Sequence, residues 1–256
     1  MTSAQVVVHP DAAAVAEVTA ARLLVTLIDR QSVRAPLHVV LTGGTVGIAV
    51  LAAVRSSPAR DVVDWSGVHL WWGDERFLPT GHADRNETQA RTALLDDLGA
   101  ALPAQNVHPV PAPGSVGVTT AEDAAAAYAA ELATYAPSGS PGPAVPLFEV
   151  VLLGMGPDGH VASLFPGHPT ETASGATTVA VHDAPKPPPE RVSLTNEAIC
   201  AAEAVWIVVA GAEKAPKVAA ALTGAALPAA RVHGRECTLW LVDAAAASAD
   251  IAVPAS

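Results

Sequence analysis

Phe148-Glu149-Val150-Val151-Leu152-Leu153-Gly154-Met155-Gly156-Pro157-Asp158-Gly159-His160 decides how this chain is read. A nearly continuous apolar run has the pattern of a strand buried on both faces, as in a parallel sheet covered by helices. It stops at a glycine-rich turn that carries an acid and, two residues on, a histidine. In open α/β sheets ligands bind just beyond the carboxyl ends of the strands. The turn therefore puts a group able to titrate near neutral pH where a small molecule would lie. Turn chemistry alone accounts for the glycines and for Asp158 as a helix cap. It accounts poorly for His160, so His160 is the first candidate catalytic residue and Asp158 its first candidate partner.

The rest of the chain repeats the strand-then-helix rhythm. Short β-branched runs are expected as strands at Val6–Val8, Leu37–Leu41, Val68–Trp72, Phe148–Leu153, Thr178–Val181, Val192–Leu194, Val205–Val209 and Thr238–Val242. Alanine-rich stretches are expected as helices at Ala12–Asp29, Val46–Val54, Asn86–Leu94, Ala121–Thr134 and Glu213–Leu222, with a short last one from Ala244. This alternation predicts an α/β fold: a mainly parallel, doubly wound, Rossmann-like sheet with helices on both faces. The Pro/Gly/Ser-rich stretch Ala136–Pro146 and the proline run Pro185–Pro189 read as loops. With no repeat and no linker, residues 1–256 are expected to form a single domain.

Composition narrows the function. Half of the 256 residues are hydrophobic, so the chain is a globular one able to bury a large core. The net charge is −11 and the 14 Lys and Arg residues are scattered. A nucleic-acid partner is therefore not expected. No apolar run approaches a membrane span, and the N-terminal residues lack the basic region of a signal peptide. Two cysteines without metal-ligand spacing suit a reducing cytoplasm. A cytoplasmic protein, most simply a monomer, is the expectation.

Three further strand ends carry chemistry. Thr42-Gly43-Gly44-Thr45-Val46-Gly47 joins a strand to a helix; its glycines let backbone N–H groups approach an anion, and the helix start favours negative charge. It matches neither a dinucleotide fingerprint nor a Walker A loop. Asp74-Glu75-Arg76 ends the third strand, with Arg85 nine residues later, and two arginines there can grip phosphate oxygens. Gly211-Ala212-Glu213-Lys214 puts a lysine in a first helical turn, where the dipole disfavours it unless an anion binds nearby. Arg191 follows the proline run and is expected either to meet an anion or to anchor that loop.

In order and content these segments resemble the 6-phosphogluconolactonase family of the glucosamine/galactosamine-6-phosphate isomerase superfamily. The family's long motif is matched without a gap by Gly154–Pro166, its Asp-Glu-Arg by Asp74–Arg76 with the following Asn at Asn86. Its proline-rich lead into Arg-x-Ser/Thr-Leu-Thr is matched by Pro187–Thr195, and its Gly-x-x-Lys by Gly211–Lys214. Val46 and Gly47 depart from it, where the family often has a hydroxyl and a proline. The resemblance implies hydrolysis of 6-phospho-D-glucono-1,5-lactone to 6-phosphogluconate in the oxidative pentose phosphate pathway. The implied partner is thus a small sugar-phosphate lactone. Neither cofactor nor metal is expected, because opening an activated ester needs only a base, an oxyanion site and a proton for the leaving oxygen.

The expected catalytic set is His160, Asp158 and Asp74. The expected substrate- and phosphate-binding set is Thr42, Gly43, Gly44, Thr45, Arg76, Arg85, Arg191 and Lys214. Two other functions fit less well. A hexosamine-6-phosphate isomerase/deaminase resembles this chain in its Asp-Gly-His turn, but the glutamate of that family falls on Phe165. A non-catalytic sugar-phosphate sensor usually adds a basic DNA-binding module, and this acidic chain has none.

Overall fold

The computed structural model describes residues 4–139 and 142–247. Six strands, all parallel, form the main sheet in the order β1 (Gln5–His9), β9 (Cys237–Asp243), β8 (Ala204–Val209), β5 (Phe148–Gly154), β2 (Leu37–Leu41) and β3 (Val68–Trp72). Every residue of β2 is buried, as are the first six of β5. Both faces of these strands are covered, which explains their unbroken apolar runs.

Side chains of one strand alternate between two cores. Val39 and Leu41 of β2, with Val150 and Leu152 of β5, face α1 (Ala12–Gln31) and α2 (Gly44–Ser56). Val40, Val151 and Leu153 point the other way, into a core that includes Tyr128 and Leu132 of α4 (Ala121–Thr134). Asp11 caps α1 through its side chain, and Thr120 with Asp123 forms a capping box at α4. The α2 start differs: its N-cap is Gly43, and no side chain occupies the first-turn N–H groups.

Three expectations need correction. Thr178–Val181 (β6) and Arg191–Leu194 (β7) do not join the main sheet. They pair antiparallel with each other, and β7 pairs with a strand not foreseen, β4 (Asp74–Arg76), in a separate three-stranded sheet. Three residues, all of them charged, carry no apolar pattern that would read as a strand. The expected helix Asn86–Leu94 is α3 (Asn86–Ala90) running into a wider turn of π type at Arg91–Leu95. From Ala244 the described residues form a turn, and the remainder of that expected helix lies outside the described residues.

Going outward from β2, the chain places β3 on one side and β5, β8, β9 and β1 on the other. The strand order thus reverses between β2 and β5, and this switch point leaves a crevice at the carboxyl ends of those two strands. The small sheet covers the same end, because Leu194 N donates to Gly73 O at 2.9 Å.

Candidate active site

A cavity of about 270 Å³ opens at that switch point. Its wall includes the α2 start from Thr42 to Gly47, Asp74 and Arg76 of β4, and the turn after β5 through His160. Lys186 within the proline run and Arg191 just after it also line the wall, and Lys214 follows β8. Five segments distant in sequence meet because each follows a strand of the same sheet end or belongs to the small sheet above it and its connecting loop.

His160 folds back over its own turn. Its Nδ1 lies 2.5 Å from Asp158 Oδ1, and Gly156 N donates to His160 O at 3.0 Å. A Cβ on residue 156 would sit 2.1 Å from His160 Cε1, so only glycine permits this ring position. Gly159 has φ +92°, the left-handed region where glycine is unstrained. The opposite side of the imidazole meets the Phe165 ring, centroids 4.5 Å apart. Burial opposes ionisation of Asp158, but the hydrogen bond and charge of His160 prevail and hold its carboxyl at about 2. With an ionised acceptor on Nδ1, the neutral ring carries its proton there and presents Nε2 as the basic nitrogen. Asp158 itself stands behind the ring and does not line the cavity.

Asp74 lies in the wall, held by Ser163 Oγ, which donates to its Oδ2 at 2.5 Å, and approached by Arg191 Nη1 at 3.9 Å. Asn86 Nδ2 donates to Asp74 O at 2.8 Å, and Asn86 packs so tightly on Gly43 that a Cβ there would fall 1.9 Å from its Oδ1. Asn86 is a wall residue that the expected site set did not include. Its signal was its place in the Asp-Glu-Arg…Asn motif.

The cations divide into two kinds. Arg76 reaches the wall with Nη1 tied to Asp84 O at 2.6 Å. Lys214 also lines it; burial lowers its pKa, while Glu213 raises it, Lys186 lowers it and Asp243 raises it. Arg191 is 5% exposed and spends its guanidinium on backbone carbonyls, Nε on Pro188 O at 3.1 Å and Nη2 on Lys186 O at 2.9 Å. It anchors the proline loop while its head remains in the wall. Arg85 is a correction. It is 1% exposed, absent from the wall, and bonded to Leu78 O at 3.0 Å and Val110 O at 2.7 Å, with Glu75 Oε2 at 3.8 Å. Its charge faces two buried carboxylates, with Glu87 Oε2 at 3.7 Å from Nε, and two carbonyls, and the guanidinium does not reach the cavity.

Thr42 Oγ1 accepts from Gly154 N at 3.1 Å, joining the ends of β2 and β5. Its O–H remains free to donate. Gly43, Gly44 and Thr45 lie on the wall at the uncapped α2 start, and Gly44 needs φ +78° to bring the backbone there. A Cβ at Gly47 would sit 2.6 Å from Thr42 O, so the glycine at this departure position suits the close approach of helix to turn. Among the described residues no group of three or more His, Cys, Asp and Glu is arranged to hold a metal ion.

Residues 10–240 match the model of the family described as glucosamine-6-phosphate isomerases/6-phosphogluconolactonase. The chain belongs to that family. It is 53% identical over 247 residues to the 6-phosphogluconolactonase of Streptomyces coelicolor, covering 95% of this chain and 94% of the relative. The Mycobacterium tuberculosis 6-phosphogluconolactonase is 41% identical, with 96% and 98% covered. Among solved structures, the 6-phosphogluconolactonase of Trypanosoma brucei superposes with a TM-score of 0.82 at 30% identity over 96% of this chain and 98% of that one. A monomeric glucosamine-6-phosphate deaminase, 14% identical with a TM-score of 0.75 over 95% and 99%, shares the fold.

Proposed function

We propose that this chain hydrolyses 6-phospho-D-glucono-1,5-lactone to 6-phosphogluconate by general-base attack of water. The observation that carries the mechanism is the His160–Asp158 pair, set so that the imidazole offers Nε2 in a cavity lined by cations. Neutral His160 takes a proton from water as the oxygen attacks the lactone carbonyl. The resulting imidazolium, stabilised by ionised Asp158, returns the proton to the ring oxygen as the C–O bond breaks. Arg76, Lys214 and the uncapped α2 start supply positive potential for the phosphate and the oxyanion. Asp74, with its carboxylate held by Ser163, supports the wall and orients a substrate hydroxyl.

The 6-phosphogluconolactonase relatives at 53% and 41% identity support this substrate. The deaminase reading meets Phe165, 1% exposed and packed on His160, which has no proton to exchange. The reading includes a small sugar-phosphate lactone as partner, no resident metal or cofactor, a cytoplasmic setting and a single-domain monomer. Cys200 and Cys237 are both free, in keeping with a reducing compartment. Among the described residues no helix is long and apolar enough to cross a membrane.

The test is proton release from freshly generated lactone with chelator present. Hydrolysis above the spontaneous rate is expected. No acceleration would refute the activity, whereas loss only on adding EDTA would refute the metal-free mechanism alone.

A further inference from the structure

Lys186 is a cation of the cavity wall to which the mechanism above gives no part. Its position is unusual for an exposed lysine. It stands on the loop between β6 and β7, flanked by Pro185 and by Pro187, Pro188 and Pro189, whose fixed φ angles leave the backbone little freedom. Ala184 N donates to Pro189 O at 3.1 Å and closes the base of the loop. The buried Arg191 guanidinium grips the carbonyls of Lys186, Pro187 and Pro188 from beneath, at 2.9, 3.4 and 3.1 Å. A stiff arch thus fixes the Lys186 backbone at the rim, and the residue lines the cavity, although lysine side chains ordinarily lie free in solvent.

Lys186 is also close enough to Lys214 to disfavour its charged form. Glu213 and Asp243 act on Lys214 in the opposite sense. Arg76 and Arg191 lie on the same wall. Asp74 on the same wall answers Arg191 at 3.9 Å, but Arg76, Lys186 and Lys214 add more positive charge than this one carboxylate offsets, and their mutual repulsion is relieved when an anion enters between them. The chain as a whole is at −11, so a phosphorylated substrate is repelled except where such a local basic surface reverses the field.

We propose that Lys186 is a substrate-binding residue whose ammonium, together with that of Lys214, holds the phosphate monoester end of the substrate. The inference rests on the lactonase reading, to which it adds the residue that selects phosphorylated over unphosphorylated lactone. Lys186 takes no part in bond making; its charge acts on binding.

The experiment compares wild type, Lys186→Ala, Lys186→Arg and Arg235→Ala. Arg235 is an exposed cation outside the cavity wall, and its removal reports the effect of net charge alone. Steady-state kinetics are measured on 6-phosphogluconolactone and on unphosphorylated glucono-δ-lactone. Binding of 6-phosphogluconate and of gluconate is measured by calorimetry. Lys186→Ala is expected to raise KM for the phosphorylated lactone and Kd for 6-phosphogluconate by about tenfold, the loss of one charge-assisted hydrogen bond. The kcat on the phosphorylated lactone and the kinetics on glucono-δ-lactone should stay within about twofold, and Lys186→Arg should restore most of the affinity. Unchanged KM and Kd in Lys186→Ala would overturn the inference. So would equal losses on both lactones, or a loss reproduced by Arg235→Ala. If wild type lacks lactonase activity the functional reading fails, and the calorimetric arm still judges the phosphate contact by itself.

Discussion

Acid should weaken this fold through His38, and the size of the effect follows from its surroundings. His38 lies on β2 with 6% of its surface exposed. Trp71 Nε1 donates to its Nδ1 at 3.1 Å, so the neutral ring accepts there, and a proton on that nitrogen would break the bond. The His69 ring centroid is 4.9 Å away, and His69 Nδ1 pairs with His108 Nε2 at 2.8 Å, with His108 Nδ1 in turn 2.6 Å from Glu131 Oε1. The Glu149 carboxylate faces the same residue but is engaged by the His38 backbone N–H and by Arg34. Burial, then the charges of His69 and His108, push His38 from 6.5 to about 3. Between those values the unfolded chain binds the proton and the folded chain does not. Stability therefore rises with pH across this window, and its loss begins as pH falls below the unfolded value of 6.5. At pH 5 the unfolded state gains 2.303RT × (6.5 − 5), about 2 kcal/mol, against a few tenths at pH 7. His38→Asn keeps an acceptor for Trp71 and abolishes the titration. Urea unfolding at pH 7 and pH 5 should show wild type losing about 2 kcal/mol more than the variant. Equal losses in the two proteins would refute the assignment.

The other predictions concern the site. His160→Asn should lower kcat by about 10²–10⁴ while leaving 6-phosphogluconate binding little changed, and a near wild-type kcat would remove His160 from the mechanism. Gly156→Ala must displace the His160 ring, because its Cβ overlaps Cε1 and Nδ1; kcat should drop at least tenfold in a protein that thermal melting shows to be folded. Arg76 and Arg85 should separate cleanly: Arg76→Ala raises KM or lowers kcat by about tenfold or more with little change in Tm. Arg85→Met strips a buried partner from Glu75 and two carbonyls, costing about 3–5 kcal/mol in chemical denaturation.

Much of this protein could be read from local patterns. Doubly buried strands such as β2 and β5 announce themselves as apolar runs because both faces pack on helices. A strand end followed by glycines marks a ligand site because backbone must come close there. For the same reason Gly43, Gly44, His160 and Lys214 were identifiable as strand-end candidates, and the Asp158–His160 spacing of two residues suffices for a hydrogen bond within one turn.

Tertiary structure alone decided the rest. β4 is a strand only because β7 pairs with it; Asp74-Glu75-Arg76 has no intrinsic strand pattern. Arg76 and Arg85 are equivalent as letters, and only the packing of Glu75, Leu78 and Val110 around Arg85 takes it from the substrate and leaves Arg76 in the wall. Arg191 became an anchor because the proline loop turns its carbonyls toward it, which in turn holds Lys186 at the cavity. A short-range pattern records propensities and turns. Which of several charged side chains is buried against carbonyls, and which faces open space, depends on contacts between residues far apart in the chain, and those exist only once the sheet has formed.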